Sequence, residues 1–477
     1  MTARATSGEH EASASEPARR PRSAARRIAV IGGGLSGLSA ALRLRDAGFD
    51  GDVTLFEASG RLGGLIETVH QDGFLIERGA DSFITTKPAA VRLCERLGIG
   101  NRLVRPNEAN RRSLIVRNGA PVPTPDDFHL CVPRNVTAVL DSGLLSTAGQ
   151  LRFLREPTVP PRTGDGDESL ASFCTRRFGR ETLDRIVQPI AAGIYSADPA
   201  ELSMDATMPQ FPALERTHGS LTEAGRVARR SDREAASGAR YGLFATLPGG
   251  LGELVGALAD AVRQSCEVRL RSAVGPIERA AAGWLVAGGR FDAVVVALPA
   301  RVAATLLPGV PDLGGIPASS SAVFTAGYRR DQFDHPLNAF GMVVPFTERS
   351  PVTAVSFASN KFPGRAPDGH VLVRVFVGGP HGKSHLSSGE AIRSAAVGGL
   401  RGFLGLRGSE TTSLTTPYPA ASPQYTIGHA DRVARIDVAV RDLPRVALAG
   451  ASYRGVGIPD AVASGERAAD DLLRESE

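Results

Sequence analysis

The most constraining feature of the chain lies near its start. Arg27-Ile-Ala-Val-Ile31 is a short apolar run that reads as a buried parallel strand, and it leads directly into Gly32-Gly33-Gly34-Leu35-Ser36-Gly37. Leu38, Leu42 and Leu44, set among alanines, form a helical stripe that stops near Gly48, and Val53-Thr-Leu-Phe-Glu57 reads as a second strand. A GxGxxG string alone is weak. With a strand before it, a helix after it and an acidic residue twenty positions beyond Gly37, it is a dinucleotide-binding fingerprint. Gly32 permits the tight turn, Gly34 lets backbone N–H groups approach a pyrophosphate, and Gly37 lets the helix pack close to the strand. The helix N-terminus then faces the phosphates, and Glu57 can accept hydrogen bonds from ribose hydroxyls.

Composition narrows the rest. The 477 residues are 42% hydrophobic and 22% charged, which excludes wholesale disorder and fibrous repeats. The net charge of +5 is small for this length and gives no reason to expect a nucleic-acid partner. Arginine supplies nearly all of the positive charge, since only Lys87, Lys361 and Lys383 are lysine, a bias that codon usage explains. Cys94, Cys131, Cys174 and Cys266 lie far apart without a CxxC, so neither a disulfide scaffold nor a zinc site is expected, and a reducing compartment fits. His381 and His385 are four apart, but Gly379, Pro380 and Gly382 argue against a helix there, and no metal is expected. No apolar stretch reaches the length of a transmembrane segment. Residues 1–25 read as a disordered tail.

NAD and FAD both satisfy the fingerprint. After Glu57, however, comes Ala58-Ser59-Gly60-Arg61-Leu62-Gly63-Gly64, then Glu77-Arg78-Gly79-Ala80-Asp81-Ser82. Here the chain resembles the flavin-containing amine oxidase superfamily, in which a GRxGG loop approaches the FAD pyrophosphate. Further along, Glu168–Gly179, Pro189–Asp198, Leu247–Leu251, Lys361–Pro367, Pro423–His429 and Gly450–Val456 are similar to the protoporphyrinogen/coproporphyrinogen oxidases. The resemblance spans roughly residues 26 to 475. It implies FAD-dependent, oxygen-consuming, six-electron oxidation of a porphyrinogen to a porphyrin in haem biosynthesis, with release of hydrogen peroxide. Coproporphyrinogen III stands ahead of protoporphyrinogen IX as substrate. Another flavin amine oxidase or desaturase, and a non-catalytic FAD-binding protein, stay open as alternatives. An amine oxidase would place an aromatic pair over the flavin, for which Tyr453 is one candidate.

The expected fold is α/β: a discontinuous doubly wound FAD-binding domain, a mixed-sheet substrate domain and a helical insertion. The FAD-binding parts are 26–105, 246–300 and 431–477. A helical and substrate-domain insertion covers 106–200, a substrate-domain connection 201–245 and the substrate-binding domain 301–430. Asp167 is expected to cap a helix burying Leu170, Phe173 and Phe178, and a second helix carrying Leu183, Ile186, Val187 and Ile190 to break at Gly193-Ile194-Tyr195. Trp284 falls in an FAD-domain strand, and a helix is expected from about Pro459 to Leu473.

By resemblance, FAD is held by Gly32, Gly33, Gly34, Leu35, Ser36 and Gly37, by Glu57, Ala58, Arg61, Gly64 and Leu65, and by Gly79, Ala80, Asp81 and Ser82. Val274, Ala451, Val456, Gly457 and Ile458 complete that set. Arg112 matches an arginine that meets a substrate propionate, and Phe340, Gly341 and Val343 match the lining of the ring pocket. For Arg112 an exposed charge, and for Phe340 plain core packing, are the alternatives. Lys361 matches a lysine near flavin N5, against a solvated loop lysine. Tyr418 stands where many relatives have tryptophan, and it bears on substrate preference if it shapes the cavity mouth. The expected location is the cytoplasm, with peripheral membrane contact and docking to the next haem-pathway enzyme left open.

Overall fold

Arg27–Ile31 and Ala293–Val296 are apolar at every inner position, and they lie side by side at the centre of a five-stranded parallel sheet. The order is Glu267–Arg269, Asp52–Phe56, Arg27–Ile31, Ala293–Val296, Val446–Leu448, so strands distant in sequence become neighbours. Continuous apolar runs suit strands covered on both faces. The helices Leu35–Asp46, Leu251–Ser265 and Ile458–Arg474 bury one face. The other face packs on the hairpin of Trp284–Val286 and Gly289–Phe291 and on the helices Ala300–Leu306 and His429–Arg441. The computed structural model describes residues 26–164, 166–234 and 244–474, so the expected disordered tail lies outside the described residues.

The second sheet has seven strands in the order Thr412–Pro423, Ala318–Arg329, His370–Val377, Val352–Phe357, Gly341–Val343, Ser113–Arg117, Ala120–Pro123. It is mixed, because Gly341–Val343 pairs in parallel with Ser113–Arg117 while its other pairings are antiparallel. Its period of two is visible in Ala318–Arg329: Ala322, Phe324, Ala326 and Tyr328 enter a core under the helix Gly389–Leu404, leaving Val323, Thr325 and Gly327 on the opposite face. Phe74 and Ile76, in a separate two-stranded hairpin, pack with Leu372 of the second sheet and Ala358.

The segment 106–200 combines strands of the second sheet with helices, and three other local expectations are corrected. After the 3-10 turn Glu108–Asn110, two strands of this segment close the edge of the second sheet, and its first α-helix is Val136–Asp141. The helix Leu170–Phe178 is capped by Ser169, whose hydroxyl accepts from Ser172 N at 3.1 Å, while the Asp167 carboxylate accepts from Gly428 N at 3.0 Å. The following helix passes through Gly193 to Tyr195 and ends where Ser196 turns left-handed at φ 49°. It accommodates Pro189, which has no N–H to donate, after a π turn over Leu183–Val187. Gly379–Gly382 does form a helical turn, with Pro380 in its first turn where the missing N–H costs nothing, followed by a 3-10 segment Lys383–Ser387.

All four cysteines are buried as free thiols. Among the described residues no helix is long and apolar enough to cross a membrane, and no group of three or more His, Cys, Asp or Glu is arranged to hold a metal ion.

Candidate active site

The parallel strands release Gly32, Glu57, Ala297 and Ala449 at one edge of the sheet, the carboxyl edge at which such folds bind ligands. A Cβ on Gly37 would sit 1.9 Å from the Gly32 carbonyl oxygen, so the helix Leu35–Asp46 approaches the first strand only because residue 37 has no side chain. The two glycine loops also meet. Gly63 N donates to Gly33 O at 2.8 Å, and a Cβ on Gly64 would lie 3.1 Å from Gly34 Cα. Behind them, the helix N-terminus has neither a side-chain cap nor an acidic residue in its first turn. Orphan N–H groups and positive dipole potential are left for an anion, which fits a pyrophosphate.

Glu57 is aimed by the loops themselves, accepting from Gly33 N at 2.7 Å and from Ser59 N at 2.8 Å. Each carboxylate oxygen keeps a further acceptor position for a ribose hydroxyl. Arg271 N and Ser272 N donate to Ser59 O and Glu57 O, which brings the chain toward Val274 alongside. Arg61 is turned into its own loop: it donates to the carbonyls of Leu62, Gly64 and Ile66 and lies 3.3 Å from Glu67. Ala58, Gly64, Leu65 and Ala80 remain exposed, Leu65 at 57%.

The Gly79–Ser82 segment is held by cations from the other sheet. Asp81 accepts from Lys361 Nζ at 2.9 Å and from Ser82 Oγ at 2.8 Å, and Arg374 Nη1 lies 3.4 Å away. Arg374 also donates to Gly79 O. Burial pushes the Asp81 carboxyl up, but Lys361 and Arg374 outweigh it and hold it well below the usual carboxylate range. Lys361 is therefore no solvated loop lysine: it is 16% exposed, in the turn Ala358–Lys361, with the rings of Phe244 and Phe362 at 5.5 and 5.2 Å. Its ammonium leaves water because a carboxylate waits for it. Alongside, buried Glu77 accepts from Leu251 N at 2.6 Å and caps the helix Leu251–Ser265.

Sheet register puts Gly341 and Val343 on one face of the second sheet and the adjacent Phe340 on the other. Phe340 N donates to Arg112 O at 2.9 Å, and Gly341 pairs with Ser113. Gly341 then pairs with Ser356, Ser356 with Arg374, and Arg374 with Thr325, so these residues form one row across the sheet. Gly341 and Arg374 are thus two strand spacings apart, about 10 Å. Val343, two residues on, faces the helix Gln188–Tyr195, where a Cβ on Gly193 would be 3.6 Å from Val343 Cγ1. Arg112 is exposed and its Nε donates to Asn338 O at 2.9 Å, while Phe340 is buried. Arg374 of this row is the one that reaches the Gly79–Asp81 segment.

A family model described as flavin containing amine oxidoreductase matches residues 35–473. The chain belongs to that family. It is 31% identical to the coproporphyrinogen III oxidase of Propionibacterium freudenreichii subsp. freudenreichii, over 94% of this chain and 90% of that one. It is 29% identical to the mitochondrial protoporphyrinogen oxidase of Nicotiana tabacum, over 94% and 95%. A crystal structure from Exiguobacterium sp. 255-15, provisionally assigned as a protoporphyrinogen oxidase, superposes with a TM-score of 0.84 at 30% identity, covering 94% of this chain and 99% of that one. This flavin oxidoreductase depends on FAD, which the paired glycine loops and the uncapped helix N-terminus fit.

Three aromatic residues of this flavin oxidoreductase now have places. Tyr453 is 5% exposed inside the core beside Val433 and Ile436, so it is no wall of an open cavity. Tyr418 donates to Arg78 O at 2.5 Å and ties the second sheet to the strand before Gly79. Trp284 is buried in the hairpin on the first sheet and donates to Pro444 O. Arg374 escaped sequence reasoning, although an arginine inside His370-Val-Leu-Val-Arg-Val-Phe-Val377 breaks an otherwise apolar run and was a legible signal.

Proposed function

We propose that this chain oxidises a porphyrinogen to the porphyrin, with coproporphyrinogen III ahead of protoporphyrinogen IX. The observation that carries this is the match to enzymes named for those oxidations over 94% of the chain. The contact of Arg374 with Gly79 and Asp81 supports it, because it sets the Gly341–Arg374 row beside the segment expected to border the flavin. Overall, three molecules of oxygen take six electrons and six protons from the macrocycle and leave as three molecules of hydrogen peroxide. Bound FAD supplies the hydride acceptor and the electron donor to oxygen.

The chain's own residues then bind and orient. Gly32–Gly37, Gly64 and Leu65 receive the pyrophosphate, Glu57 and Ala58 the ribose, and Val274 the nucleotide side. Gly79–Ser82, Ala451 and Val456–Ile458 border the ring, with Lys361 beside it. Arg112 meets a substrate carboxylate, while Phe340, Gly341 and Val343 shape the pocket. Arg112 can swing from Asn338 O to a carboxylate because it is exposed and held there by its Nε alone. Arg112→Ala is therefore expected to raise the KM for the tetracarboxylate on the order of tenfold with kcat little changed. An unchanged KM would leave the side chain with Asn338 as its only business.

The reaction is tested by mixing the yellow holoenzyme anaerobically with coproporphyrinogen III and, separately, protoporphyrinogen IX. Bleaching of the flavin band is expected, faster with the tetracarboxylate, and admission of air should restore the band and give porphyrin fluorescence and peroxide. Faster bleaching by protoporphyrinogen IX would reverse the substrate order. No bleaching by either would end the proposal. We place the enzyme in the cytoplasm, whose reducing conditions fit the four buried free thiols.

A further inference from the structure

We propose that Tyr425 is a positioning residue for the cofactor, fixing the turn from Ala451 to Ile458 in the shape that receives FAD. This rests on the reading that the turn holds FAD. The Tyr425 hydroxyl donates to Ala451 O at 2.7 Å and accepts from Gly455 N at 2.6 Å, so one oxygen clamps two backbone groups four residues apart. Its ring stacks on His429 with centroids 4.0 Å apart and planes 13° from parallel. His429 Nε2 lies 2.9 Å from Tyr453 O, which can only accept, so the imidazole carries its proton there. Two stacked rings thus grip Ala451, Tyr453 and Gly455 of a single turn.

The other side of the pair is anchored on the helical layer. Ser203 N donates to Tyr425 O at 2.9 Å, Ile427 N to Glu201 O at 3.0 Å, and Gly428 N to the Asp167 carboxylate at 3.0 Å. Residues 425–429 therefore stand as a pillar between that layer and the turn that begins the helix Ile458–Arg474. Without the hydroxyl, Ala451 O and Gly455 N lose their partner. In the free protein the turn can move outward and recover water, whereas bound FAD requires it in place, so the cost falls on cofactor binding.

The test is FAD release from diluted holoenzyme, read as the fluorescence of free FAD. Tyr425→Phe is expected to release FAD on the order of tenfold faster. Its melting temperature should fall and return to the parent value when excess FAD is added, by mass action. Release within twofold of the parent, or a lowered melting temperature that FAD does not restore, would overturn the proposal, the second by showing a general structural role. Val456→Trp, in the turn itself, separates the two readings. If it too leaves FAD release unchanged, the turn does not hold FAD; if it speeds release while Tyr425→Phe does not, only the role of Tyr425 fails.

Discussion

Gly37→Val is expected to give a colourless protein, with no flavin retained at any practical FAD concentration. The new Cβ would lie 1.9 Å from Gly32 O and 3.3 Å from Ala297 Cβ, a backbone atom and a Cβ at the residues that directly follow two central strands, so no flexible side-chain end can yield. The helix Leu35–Asp46 must move off the strand, and its N-terminal N–H groups move with it, away from the loop Gly63–Gly64. Contacts that depend on backbone approach cannot be recovered by a rotamer change. Gly256→Ala is the matching control, since that Cβ would meet nothing within 4 Å on the helix Leu251–Ser265. It should keep full flavin content and gain about 0.5–1 kcal/mol from helix propensity. The ratio of flavin to protein absorbance in the purified variants decides it, and a normally yellow Gly37→Val protein would sink the argument.

Asp81→Asn should cost about 3–5 kcal/mol at neutral pH, because Lys361 and Arg374 would remain buried without their counter-ion. The pH dependence has a definite sign. The folded-state pKa of Asp81 is depressed, so its stabilisation is complete above the ordinary carboxylate pKa and is lost as pH falls through the folded value. Urea unfolding of parent and variant should therefore show a constant gap from neutral pH down to about pH 4, narrowing only below that. A gap near zero at neutral pH would show that the two cations find other acceptors. Lys361→Met combined with Asp81→Asn should recover part of the loss, because one unpaired charge is removed with its partner.

The βαβ unit was legible because its determinants are local. Strand, glycine turn, helix and acidic residue occupy Arg27 to Glu57, and the structure closes them into one parallel unit with Glu57 bonded to Gly33. Local ambiguity explains the smaller misses. Asp167 and Ser169 are both good caps two residues apart, and the choice fell to Ser169 because Gly428, 261 residues away, engages Asp167. A helix reads as broken at Gly193 only if that glycine's position against Val343 is unknown.

The sequence by itself determined the βαβ unit, its glycine roles and the family resemblance, since each depends on residue type and short spacing. Tertiary structure alone decided which charges meet and which groups hold the cofactor loops. Lys361 and Asp81 are 280 residues apart, and Arg374 and Gly79 are 295 apart. Ion pairing and desolvation depend on distance and burial, and neither quantity exists until segments this far apart in sequence are packed together.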